Sequence, residues 1–286
     1  MHGTFGRECK VDRGDAGARV PDPANVMKSF NTWRYKREQP SDSEALLDRI
    51  QTAQRLNAPL ELVLYWGKGP RCQLAAPDIE CLDFLAELGA SIASAHSPGA
   101  CIWLIQTDTH AALNGHPGTS TSSYFHDIAE AARARAFKTV LLSDVIKDAG
   151  INRPQQARSP SPEFLATLRA SAEKWYGGEA PVADAARHYY EQNMLERECV
   201  EAIFPGSIFV TFNNSKHRPL FPEKLPIFYM FSLRKGFAVK PWFLDECGKP
   251  AVHVKATEPT RSLSGLAEII GSREVGEAGR DRVHGV

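Results

Sequence analysis

Short apolar runs alternate with helical stripes along the first half of the chain. LELVLYW at Leu60–Trp66 and ACIWLIQ at Ala100–Gln106 are rich in branched and aromatic residues and nearly free of charge. That is the pattern of strands covered on both faces. KTVLLSDV, residues 138–145, reads as a third strand. A helix is expected from Ser41, where Asp42, Ser43 and Glu44 supply a cap oxygen and acidic charge to the positive helix end. Leu46, Leu47, Ile50 and Ala53 form its stripe, and Asn57 and Pro59 end it. Pro77 and Asp78 open a second helix lined by Ile79, Leu82, Leu85, Leu88 and Ile92, and residues 124–136 read as a third. This alternation implies a mostly parallel sheet with helices on its faces, and loops at the strand C-termini as the default ligand site.

The second half changes order. A Pro/Ser/Gln-rich connection, residues 152–163, leads to helices at Pro162–Trp175 and 181–204. Three apolar runs follow without helices between them, at 207–212, 225–231 and 237–243. They are expected to extend the same sheet with antiparallel strands, with Pro241 at an edge or strand end. The fold class expected is therefore α/β, a Rossmann-like three-layer arrangement. Residues 1–40 read as a polar, flexible leader, loose to about Pro23 and then docking Phe30 and Trp33. Residues 41–257 read as a single domain, and 258–286 as a polar tail with one weak helical stretch at 263–270.

Composition narrows the function classes. Thirty-four basic residues balance thirty-four acidic ones in 286, so bulk charge supports no polyanion binding and no nucleic-acid partner is expected. Hydrophobic residues at 43% and charged ones at 24% suit a globular domain. The six cysteines include no C-x-x-C pair, so neither a disulfide scaffold nor a structural zinc site is expected. No run approaches the roughly 20 apolar residues of a membrane helix. The first residues also lack the apolar core of a signal peptide, which points to the cytoplasm and away from a membrane.

Four places carry candidate chemistry. Gly67-Lys68-Gly69-Pro70-Arg71 ends the first strand. Its glycines permit close backbone approach to a ligand, and Lys68 and Arg71 suit an anion; the plain alternative is a solvated turn. Neither a P-loop nor a dinucleotide fingerprint is present. Asp108, Thr109 and His110 end the second strand. The carboxylate and imidazole suit proton transfer, unless Asp108 only caps the next segment. A metal held with His116 or His126 is disfavoured by the ligand order. Thr211, Asn213, Asn214, Lys216 and His217 follow the fourth run as polar ligands or as an ordinary turn. Trp242, in Lys240-Pro241-Trp242-Phe243, walls a pocket or fills the core. Tyr189, Tyr190 and Met194 read as a core stripe.

These pieces, in this order over residues 60–243, resemble the pyoverdine/dityrosine biosynthesis family, which contains the isocyanide synthases. LVLYWGKGPR looks like the family's strand and lysine-bearing loop, with Lys68 in the lysine position. Pro77-Asp78 and Pro98-Gly99-Ala100 match its helix start and next strand, and Asp108 stands at the Asp of its Asp-Gly, with Thr109 for the glycine. The family's Ser-Ile-His and Pro-Trp-His appear here as Thr211-Phe212-Asn213 and Pro241-Trp242-Phe243, so both histidines are replaced. Asn213 can still hydrogen-bond but is no base near neutral pH, and Phe243 does neither.

The resemblance implies a metal-free, nucleotide-free enzyme without a cofactor. It condenses the amine of an L-amino acid with the ketone of a phosphosugar such as ribulose 5-phosphate. Carried over, it implies Asp108, Lys68 and His110 (or His217) as catalytic groups, and Arg71, Thr211, Asn213, Lys216 (or Arg218) and Trp242 as substrate contacts. The implied partners are the two small-molecule substrates, with a homodimer left open. Other amine–carbonyl chemistry on the same scaffold, or a non-catalytic binding subunit, are the alternatives.

Overall fold

A computed structural model describes residues 22–155, 159–231, 240–245, 247 and 249. Five strands form one sheet: β1 Leu60–Trp66, β2 Ala100–Gln106, β3 Lys138–Leu141, β4 Ile208–Thr211 and β5 Ile227–Tyr229. Their spatial order is β3-β2-β1-β4-β5, and every pairing is parallel.

Strand periodicity divides the core into two layers. Leu62, Leu64, Trp66, Ile102, Leu104, Val210 and Phe228 point to one face, against α1 Pro23–Asn31, α2 Ser43–Arg55, α3 Ala76–Ala95 and α5 Gly118–Arg133. Val63, Ile105, Phe209, Ile227 and Tyr229 point to the other, against α6 Leu142–Ala149, α7 Pro162–Trp175 and α8 Val182–Ile203. The short helix α4 Asp108–Leu113 starts two residues after β2 ends. Among the described residues no helix is long and apolar enough to cross a membrane.

Three expectations need correction. The antiparallel extension is absent from the described residues: β5 lies parallel to β4, and the one antiparallel contact is an isolated bridge between Lys36 and Met230. Residues 212–226, with a 3-10 turn at Ser215–Leu220, return the chain to the starting end of the sheet, and a connection of a dozen or more residues suffices for that. The run at 237–243 lies partly outside the described residues, and Pro241–Phe243 within it is a 3-10 turn. The third strand stops at Leu141, because α6 begins there with the Asp108 carboxylate accepting from the Ser143 amide (3.0 Å).

The expected leader splits. Residues 1–21 lie outside the described residues, as do the tail 258–286 and its helical stretch. Asp22 caps α1, accepting from the Ala24 amide at 2.9 Å, and α1 sinks Val26 and Phe30 into the first core layer. Trp33 stays outside the buried core, 63% exposed, with the Lys36 ammonium over its ring. The chain then bonds to the β5 edge, Arg37 N–H to Tyr229 and Ser41 N–H to Ile227.

Phe30 is fully buried and meets Phe228 edge to face at 5.0 Å. Phe30→Ala is expected to cost about 3–5 kcal/mol in urea unfolding. A cost under about 1 kcal/mol would show that α1 is not part of the cooperative core.

Candidate active site

The strand order reverses between β1 and β4, which is where open α/β sheets take ligands. A cleft lies at that edge. Its inner part, about 90 Å³, is lined by the ends of β1, β2 and β4, including Tyr65, Lys68, Thr107 and Thr211, with His110 of α4 and Asn193 of α8. Its outer part, about 300 Å³, has an aromatic wall of Trp175, Tyr176 and Phe243. Trp175 stacks on Phe243 at 4.2 Å. Tyr189, Asn213, Lys240 and Phe243 border both parts, so the two are continuous.

Among the described residues no Asp or Glu lines the cleft, whereas Lys68, Lys174, Lys240, His110 and His217 do. No group of three or more His, Cys, Asp or Glu among them has a metal-holding arrangement.

His110 is held from behind. Its Nε2 meets Oε2 of Glu196 at 2.5 Å, and the Glu196 side chain is fully buried. The other carboxylate oxygen accepts from Thr109 Oγ1 (2.6 Å) and Gln192 Nε2 (3.0 Å). A carboxylate on Nε2 keeps the proton there and makes Nδ1 the basic nitrogen. The ring packs edge-on against Tyr65 and Tyr189. Burial, reinforced by the Glu196 charge, pushes both tyrosine hydroxyls up, so they stay protonated as donors. Local sequence explains the assembly. Thr109 and His110 fall on the first turn of α4, and Tyr189, Asn193 and Glu196 share one stripe of α8.

Lys240 and His217 also line the cleft. Lys240 Nζ sits 6.0 and 5.9 Å from the Trp242 and Phe243 ring centres. Burial, with Arg37 nearby, pushes its pKa down to about 8. His217 donates Nδ1–H to Asn214 Oδ1 at 2.9 Å. Burial and then the charges of Lys240 and Arg37 push its pKa down to about 4, with Glu38 acting the other way, so the imidazole is neutral at pH 7.

The structure brings together Lys68, His110, Thr211, Asn213 and Trp242. The Lys68 ammonium donates to the carbonyls of Gly69 (2.7 Å) and Arg71, bracing its own loop, and burial lowers its pKa. Thr211 Oγ1 accepts from the Asn213 amide, and Trp242 is both cleft wall and core, packed on Trp66.

Arg71, Asp108 and Lys216 line no part of the cleft. Arg71 bonds to Asp78 (2.7 Å) and to the carbonyls of Gln73, Pro241 and Leu244, which leaves no free fork for an anion. Asp108 is the cap of α6, and Lys216 is exposed on the Ser215–Leu220 turn. The glycines of the lysine loop serve the protein rather than a ligand. A Cβ at Gly67 would lie 2.5 Å from the Trp242 ring, and one at Gly69 would lie 1.9 Å from the Trp242 carbonyl.

Glu196, Lys240, Asn193 and Tyr189 were not legible as site residues. Glu196 sits in a charged helical stretch that looks solvated, and Tyr189 in what reads as a core stripe. Tyr190 and Met194 do belong to the core.

The sequence matches no family model and no curated protein. Among solved structures, the fold is similar to that of the PvcA protein from Pseudomonas aeruginosa, with a TM-score of 0.59 and 16% identity over 77% of this chain and 87% of that one. Tyrosyl-tRNA synthetases from Archaeoglobus fulgidus and Pyrococcus horikoshii, both solved with L-tyrosine, align with TM-scores of 0.39. They share 14% identity over 71% of this chain and 63% of that one, and 11% over 70% and 52%. At such identities the likeness to PvcA is one of fold.

Two outcomes follow from this geometry. Gly69→Ala forces backbone against backbone and is expected to lower stability by about 1–3 kcal/mol in thermal unfolding; an unchanged melting temperature would refute the close approach. His217 has a lower pKa folded than its ordinary 6.5. Between pH 6.5 and about 4 the unfolded chain therefore binds a proton that the folded chain does not. Stability falls as pH drops through that window, and His217→Gln removes that part of the slope in urea titrations.

Proposed function

We propose that this chain is an isocyanide-synthase-like enzyme of specialised metabolism, acting in the cytoplasm. It joins the amine of an L-amino acid, or a derivative, to the carbonyl carbon of a small phosphosugar such as ribulose 5-phosphate. One sugar-derived carbon stays on nitrogen after carbon–carbon cleavage. The ordered motifs over residues 60–243 and the fold likeness to PvcA support the reading. The observation that carries it is the His110–Glu196 pair facing a cleft at the strand-order reversal.

Imine formation needs one group that takes a proton from nitrogen and returns it to oxygen. The substrate amine forms its bond to the carbonyl carbon, and His110 Nδ1 takes the ammonium proton. Returned to the alkoxide oxygen, that proton gives the neutral carbinolamine; the second nitrogen proton follows the same route as the hydroxyl leaves as water and the C=N bond forms. Glu196 holds the imidazole in place and balances its charge while the proton is on it. Asn213 and Phe243 border the cleft where the family has histidines, and neither can perform this transfer. His110 therefore serves as the acid and base of this chain. The wall of Trp175, Tyr176 and Phe243 suits a flat, apolar side chain on the amine.

One specific observation favours the second reading, different amine–carbonyl chemistry on the same scaffold. Phe243 is held by stacking on Trp175, so its position has an assigned packing role and no proton-transfer role.

The test is a mass-spectrometric assay with ribulose 5-phosphate carrying a labelled C2 and all twenty L-amino acids. The expected product carries one labelled carbon on nitrogen. His110→Asn is expected to lower its rate by about 10²-fold or more. Glu196→Gln should lower kcat far more than it raises KM and shift the acid limb of the pH–rate profile, which a merely structural role would leave in place. Labelled imine-derived products without an isocyanide would favour the second reading. Complete inactivity of folded wild-type protein toward every pair would sink both.

A further inference from the structure

We infer that Lys240, His217 and Asn213 form an anion subsite of the cleft, built for the dianionic headgroup of a phosphate monoester. The inference rests on reading the cleft as a substrate site, and not on the isocyanide reaction.

Charge is the first argument. Lysines and histidines line the cleft and no described carboxylate does. A solvated cation needs no partner, and Lys174 at the outer rim is of that kind, exposed and resting over Trp175. Lys240 is different. It is only partly exposed, its ammonium lies about 6 Å from both the Trp242 and the Phe243 ring centres, and no hydrogen-bond acceptor among the described residues holds it. An ammonium partly withdrawn from water gains from an opposite charge that joins it. Arg37 adds positive charge behind this corner, with Nη1 on the Phe212 carbonyl at the end of β4. The acid beside it, Glu38, is 3.8 Å from Arg37 and accepts from the Ser215 amide, so it faces its own loop.

Donor geometry is the second argument. Lys240 offers N–H donors and Asn213 a side-chain amide, while the His217 Nδ1–H is spent on Asn214, so Nε2 donates only when the ring takes a second proton. A dianion next to His217 favours its protonation, which adds a donor and a second positive charge. A carboxylate would balance only one of the two charges. Lys68, the buried lysine of the cleft, is not the anchor, because its ammonium serves the carbonyls of its own loop. The subsite sits where the two parts of the cleft meet, so the anchored ligand can extend toward His110 in the inner part.

The test measures binding without turnover. Ribulose 5-phosphate, inorganic phosphate, ribulose and L-tyrosine are titrated calorimetrically into wild type, Lys240→Met and Lys216→Met, each shown folded by circular dichroism. The two phosphate ligands are expected to bind Lys240→Met at least about tenfold more weakly, since a hydrogen bond to a charged group is lost. Lys216→Met, an exposed cation outside the cleft, should stay within about twofold, and ribulose should bind weakly to all three. Saturating phosphate should also raise the titration midpoint of the His217 ring in NMR spectra, which a structural role for Lys240 would not do. Equal phosphate affinity in wild type and Lys240→Met overturns the subsite. So does a Lys240-dependent loss confined to L-tyrosine, which would assign the corner to a carboxylate. Phosphate binding that passes these controls stands even if the product assay fails.

Discussion

The cleft exists because one guanidinium fastens a distant segment to the sheet. Arg71, just past β1, donates to the carbonyls of Pro241 and Leu244, more than 160 residues away in sequence. It is itself anchored by Asp78 in the first turn of α3. Asp78 is fully buried, and it also accepts from the Tyr124 hydroxyl (2.9 Å) and the Ala75 amide (3.0 Å). A buried ion pair of this kind contributes little net stability, but removing either partner strands the other's charge. What it secures here is geometry. The 3-10 turn at Pro241–Phe243 is pressed onto the bare backbone of Gly67 and Gly69, Trp242 fills the space over Trp66, and Lys240 is delivered to the cleft.

The fold was legible where burial and periodicity agree. Leu60–Trp66 and Ala100–Gln106 have no credible alternative to buried strands, and α3, α7 and α8 follow from their stripes and opening prolines. Strand direction in the second half was not legible. Nothing in 225–231 distinguishes a hairpin partner from a parallel neighbour, and the choice was made by the compact path of residues 212–226, which local pattern does not encode. KTVLLSDV misled for a related reason. Its apolar run continues across Leu141, and the change to helix is fixed by a carboxylate from another element, Asp108.

Site residues divide along the same line. Those at strand ends, Lys68, Thr211 and Asn213, were visible because the fold dictates where strand ends go. Arg71 and Asp108 were visible too, but as charges without partners; their partners lie at Asp78, Pro241, Leu244 and Ser143, and those contacts exist only once the chain is folded. Glu196 is the converse. In sequence it is one of several helical acids, and only packing separates the buried carboxylate behind His110 from Glu191 and Glu198 nearby. The result is a cleft in which His110, backed by Glu196, shares the lining with Lys68 and Lys240.

Helix α8 has a consequence for ligand size. Tyr189, Asn193 and Glu196 lie along one face of a rod whose other residues, including Tyr190, Met194, Cys199 and Val200, are locked into the second core layer. From the outer part of the cleft to the carboxylate behind His110, that face spans seven residues, about 10 Å of helix rise. The rod cannot stretch or bend locally without breaking its own hydrogen bonds. The cleft therefore carries a fixed ruler along one side: for a ligand bound there, length would be gauged by a helix and charge by the segment that Arg71 holds in place.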